Sequence, residues 1–201
     1  MLTNARTKRK MIFVNVADGG GWFYIGGMEK ATQQYLLGVA KAAIMGGAVS
    51  EACDDPVLRE KRGVFVTLSE EGGLRGCIGN IMPEYPLGEA VMRNARAAAF
   101  EDSRFEPVRE DEFELLEIEI SVLSVPVRVA YEGEEDLIEK VRGKGVVIEL
   151  DGHVATYLPQ VWEELPEPVQ FLSSLCMKAG LEAGEWKRGE LEVKVYEVEK
   201  F

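Results

Sequence analysis

Residues 72–82 read GGLRGCIGNIM, and this stretch restricts the fold more than any other. Two of its four glycines, an arginine and a cysteine sit where Leu74 to Met82 otherwise reads as a strand. Glycine weakens a strand interior and marks a bulge or the close approach of another backbone or a ligand. Strand geometry places Arg75 and Cys77 on one face and Leu74, Gly76 and Ile78 on the other. Either Arg75 and Cys77 both line a site, or one of them is an awkward occupant of a core.

The β-branched and aromatic run Val64 to Leu68 precedes the stretch, and SEEGG between them is turn-like, so the two form a hairpin. Helical spacing runs from Glu29 to about Val49 through Tyr35, Leu36, Val39, Ala42, Ala43 and Ile44. Pro86 stands where a second helix begins, alanine-rich from Leu87 to Phe100. In Leu115–Leu123, Glu117, Glu119 and Ser121 alternate with Leu116, Ile118, Ile120 and Val122, as in a strand with one buried face. GVVIEL-DG-HVATYL is a hairpin around Asp151-Gly152. Helices follow over Glu134–Val141 and Val169–Ala179, the latter stopped at Gly180, and Leu191–Val198 alternates as a last strand. Hairpins make most of the strand connections, so the class is α+β with a largely antiparallel sheet and flanking helices.

The chain has 201 residues, enough for one domain or two small lobes sharing a core. Its net charge of −12 opposes binding to nucleic acid or anionic lipid. Cys53, Cys77 and Cys176 have no paired spacing and His153 is the single histidine, which argues against a disulfide framework and against a zinc or other nitrogen/sulfur metal site. No cofactor is expected. Free thiols fit a reducing, cytoplasmic setting. The basic start and the apolar run from Met11 resemble a signal peptide only weakly, because Asn15 and Asp18 interrupt the run. Residues 1–27 are therefore expected to be an extension, with IFVNV a candidate extra edge strand, and residues 28–201 the domain.

The motifs point to a family. Leu74-Arg75-Gly76-Cys77-Ile78-Gly79 is similar to the hallmark hexapeptide of the AMMECR domain family. NARAAAFEDSRF (Asn94 to Phe105), EIEISVLSVP, ATYLPQVW and FLSSLCMKAGL resemble further blocks of that family, in the same order. The resemblance runs from about Glu29 to the C-terminus. It implies two related lobes around a continuous sheet, with the motifs gathered near a cleft. It implies no assigned enzymatic activity, and, for prokaryotic members, association with Memo-type and radical-SAM-type protein partners. Relatives often carry basic residues where this chain has GHVATYL, so no role is assigned to His153.

Each marked residue has a functional and a structural reading. Cys77 is a nucleophile, with Arg75 and the main chain beside Gly76 and Gly79 favouring an oxyanion, or it is a small strand residue chosen for space. The glycines admit an anionic ligand or a packed backbone. Asp102 and Arg104 form a local ion pair, or Arg104 joins Arg75 as a second guanidinium for a carboxylate or phosphate. Asn94 ties down backbone or contacts a ligand. Glu119 is solvated, or it faces the cleft as a general base; with Asp102 it is a candidate partner for Arg75. Two functions follow: a noncatalytic binding or adaptor module with a cleft for a small anionic ligand or a protein partner, and a cysteine-dependent enzyme acting on a small anionic substrate through Cys77 and Glu119.

Overall fold

A computed structural model describes residues 10–14, 21–25, 27–49 and 52–201, the first two segments by backbone alone. There β1 (Lys10–Val14) pairs antiparallel with β2 (Gly21–Ile25) in a two-stranded sheet of their own. The candidate edge strand IFVNV thus pairs within the extension; Asn15 and Val16 lie outside the described residues, as do residues 1–9, where the signal-like start falls.

The remaining described strands form two four-stranded antiparallel sheets, in the orders β10-β5-β3-β4 and β6-β9-β7-β8. The first contains β3 (Val64–Glu70), β4 (Gly73–Asn80), β5 (Glu117–Leu123) and β10 (Val198–Lys200). The second contains β6 (Val127–Arg128), β7 (Gly145–Leu150), β8 (His153–Tyr157) and β9 (Glu192–Tyr196). Alternation alone reads Leu191–Val198 as one strand. The chain instead changes sheet at Glu197, beside the point where β5 hands over to β6. The Ser124 N–H donates to the Glu197 carbonyl at 2.9 Å and the Glu197 N–H to Ser124 Oγ at 3.0 Å, so a single antiparallel ribbon runs through both lobes. Leu123, Val147 and Tyr196, with Phe65, Ile81, Leu158 and Val198 against them, fill the junction.

Each sheet is covered on one face. Val64, Val66, Leu68, Ile120 and Val122 pack against α1 (Lys30–Met45) and α2 (Leu87–Phe100), whose Ala90, Ala95, Ala98 and Ala99 let the helix lie close to the strands. In the second lobe α3 (Gly133–Val141) and α5 (Pro168–Lys178) cover β7–β9 around Phe171, Leu175 and Trp186. Trp162, from the short α4 (Val161–Glu164), stacks on Phe171 with ring centroids 3.8 Å apart.

The turns follow the sequence. Asp151 and Gly152 have φ of 50° and 82°, and Glu71 and Gly72 have φ of 51° and 76°, as tight hairpins require. Past α5, Gly180 adopts φ 81° while its N–H and that of Leu181 cap the Met177 and Cys176 carbonyls.

Candidate functional site

β4 is the outer strand of the first sheet, so half of its main-chain groups point away from β3. The segment that follows α2 turns back along this open edge. There the Cys77 N–H donates to Asp102 Oδ2 at 2.8 Å, and Arg104 Nη2 donates to the Cys77 carbonyl at 3.1 Å. Asp102, buried, also accepts from Arg104 Nε at 2.9 Å and Nη2 at 2.6 Å. One side chain takes the donor and the other the acceptor of a single residue, as a neighbouring strand would. The Arg104 guanidinium, then the Cys77 N–H, hold the Asp102 carboxyl well below the usual carboxylate range, and Asp102 in turn raises Arg104.

Arg75 owes its position to a slip in the ladder. Gly76 pairs with Leu68 and Leu74 with Ser69, which leaves Arg75 as the extra residue of a β-bulge. Its Nε and Nη2 donate to the two carboxylate oxygens of Glu112 at 2.8 and 3.2 Å, and its Nη1 to the Glu106 carbonyl at 2.8 Å. Glu112 accepts the Arg109 N–H as well, at 2.7 Å. The two side chains are only 15% and 12% exposed, so the pair is largely withdrawn from solvent. Arg75 first, and the Arg109 N–H second, lower the Glu112 carboxyl to about 2, while Glu112 raises Arg75.

The expected partners of Arg75 were Asp102 and Glu119, and this is corrected: the partner is Glu112. Asp102 serves Arg104 and Cys77, and Glu119 is 3.2 Å from Lys200 Nζ. Glu112 lies in the acidic run REDEFE, where nothing in the spacing distinguishes it from its neighbours.

At Gly76 and Gly79 the space that a side chain would take is filled by neighbouring atoms. A Cβ on Gly76 would be driven into the Ala98 carbonyl of α2, and one on Gly79 into the Phe65 ring and the Val64 carbonyl. Both positions are closed by packing. Asn94 is buried and donates through Nδ2 to the Val64 carbonyl and to Asn80 Oδ1, each at 2.9 Å, so it ties α2 to the sheet rather than facing a ligand.

Cys77 itself is partly exposed, with Sγ 3.4 Å from Thr67 Oγ1. Thr67 pairs in register with both Cys77 and Glu119, so these three residues form a row across β4, β3 and β5 on the face away from α1 and α2. Thr67 and Lys200 belong to this face and were not anticipated; strand alternation offers Thr67, but only the register puts it beside Cys77. His153 is exposed and its Nδ1–H donates to the Ala179 carbonyl at 2.9 Å, in the second lobe. A shallow depression lined by Lys41, Ile44, Met45, Phe113, Glu114, Leu116 and Ile118 contains none of the expected site residues. Among the described residues no cluster of three or more His, Cys, Asp or Glu side chains could hold a metal ion, and no helix is long and apolar enough to cross a membrane.

A sequence model of the AMMECR1 family matches residues 37–201. The chain is 41% identical over 157 residues to Protein Ta0236 of Thermoplasma acidophilum, covering 73% of each chain. It is 43% identical over 149 residues to Protein Mbar_A1807 of Methanosarcina barkeri, again with 73% of each covered. A protein of Thermococcus gammatolerans is 36% identical over 199 residues, covering 92% of this chain and 91% of its own. Among solved structures, the fold is similar to that of the uncharacterized protein PH0010 from Pyrococcus horikoshii, with a TM-score of 0.70 and 33% identity over 86% of this chain and 92% of that one.

Proposed function

Since the chain belongs to the AMMECR1 family, we propose that it works as a noncatalytic binding or adaptor module, presenting the open face of the first sheet around LRGCIG to a small ligand or a protein partner. One observation carries this reading: the charged groups expected to do chemistry are each paired with an opposite charge. Arg75 is held by Glu112, Arg104 by Asp102, and Glu119 by Lys200. The neighbour of Cys77 Sγ is the Thr67 hydroxyl, which is not a base at neutral pH. The two guanidiniums expected to attract a small anion are each neutralised by a carboxylate, which favours a protein partner, of the Memo or radical-SAM type that the family resemblance suggests. The setting in which such a module meets those partners is cytoplasmic.

The second reading, a cysteine-dependent enzyme on a small anionic substrate, is favoured by the row of Cys77, Thr67 and Glu119 on an accessible face. Thiol alkylation of the folded protein, followed cysteine by cysteine across pH, separates the two. The module predicts that Cys77 reacts no faster than the partly exposed Cys53, with the buried Cys176 slowest. A Cys77 that reacts far faster than Cys53, and slows when Glu119 is replaced by Gln, would establish the enzyme reading instead.

A further inference from the structure

β4 is eight residues long and lies at a sheet edge, a template on which another strand can pair. Where the edge passes Cys77, it is covered by a pair of side chains from the segment that follows α2. We infer that Asp102 and Arg104 guard this edge against a second copy of the chain, by occupying the donor and the acceptor at the centre of a pairing of two β4 strands about a two-fold axis.

The geometry is self-complementary. In an antiparallel pair centred on one residue, that residue gives its N–H to the carbonyl of its twin and accepts the twin's N–H in return. Cys77 N–H and Cys77 C=O are the two groups that Asp102 Oδ2 and Arg104 Nη2 hold, at 2.8 and 3.1 Å. Both point away from β3, so the guard leaves the β3–β4 ladder intact. Its charges are paired with each other, so it closes the edge without adding net charge to it. The edge of β8 is covered more lightly: Lys178 Nζ donates to the Thr156 carbonyl at 2.9 Å, an acceptor without the matching donor. A guard of both polarities belongs on the longer strand.

The guard is tested by sedimentation velocity of the full chain from dilute to concentrated solution, with circular dichroism to confirm the fold. The Asp102→Ala/Arg104→Ala variant is expected to sediment increasingly as a dimer as concentration rises. Adding Cys77→Pro, which removes the outward N–H together with the thiol, is expected to abolish that rise, whereas adding Cys77→Ala, which removes the thiol and keeps the N–H, is not. A folded double variant that stays monomeric at every concentration overturns the guard, as does a dimer that survives Cys77→Pro. If the double variant does not fold, Asp102→Leu and Arg104→Met, which keep bulk but neither accept nor donate at Cys77, are measured singly. A concentration-dependent dimer in either supports the guard, and two folded monomers refute it.

Discussion

The two lobes are built alike, each an antiparallel sheet with helices on one face, yet they are held by different means. Among the described residues, the three largest fully buried side chains, Trp186, Tyr196 and Phe171, all belong to the second lobe or to its junction with the first. The first lobe has aliphatic and alanine packing instead, and its polar residues Asn94, Asp102 and Glu112 are buried and hydrogen-bonded. A core of large rings fails when atoms are removed, because a cavity is left. A close helix–strand contact through glycine and alanine fails when atoms are added. In the first lobe, contacts of this second kind include Gly76 against the Ala98 carbonyl and Gly79 against the Phe65 ring.

The largest expected effect breaks the second lobe. Phe171→Ala removes the ring stacked on Trp162 and should cost about 3–5 kcal/mol, read as a loss of unfolding free energy in denaturant. A drop within the error of the extrapolation would show that the second lobe does not depend on its rings.

Gly76→Ala tests the opposite weakness. One methyl group directed at the Ala98 carbonyl should destabilise by about 1–3 kcal/mol, whereas Gly184→Ala, whose Cβ would meet nothing nearby, should leave the midpoint close to wild type. Equal effects at the two sites would remove the contrast between the lobes.

Acid should sharpen it. The folded-state carboxyl of Glu112 lies at about 2, below the ordinary 4.5, so its pairing with Arg75 stabilises the native state fully above the ordinary value. That contribution is lost as pH falls from about 4.5 toward 2. Glu112→Gln should therefore be less stable than wild type at neutral pH and lose less on acidification over this window. Parallel stability–pH curves for the two proteins would refute the assignment.

The smallest expected effect is none. Residues 1–27 precede the family-like blocks, and β1 and β2 pair only with each other within the described sheets, so their deletion should leave the melting temperature and its cooperativity unchanged. A broadened or lowered melt would make the extension part of the first lobe, where Gly27 and Met28 meet Glu199.

Much of this protein is written locally. Asp151-Gly152 forces its hairpin because a two-residue turn needs positive φ, Gly180 ends α5 for the same reason, and the alternation of Val64, Val66 and Leu68 selects the buried face of β3. The sequence by itself also determined the family, since its motifs stand in order along the chain. Only the tertiary structure decided who partners whom. The bulge at Arg75 turns that side chain to Glu112 rather than Glu119, the change of sheet at Glu197 splits one alternating segment into β9 and β10, and Gly76 answers to a helix carbonyl across the core. A residue's periodicity fixes which face it occupies, because that is set by its own backbone. The group that meets it there is set by strand register and by loops that return from far along the chain, and neither leaves a local trace.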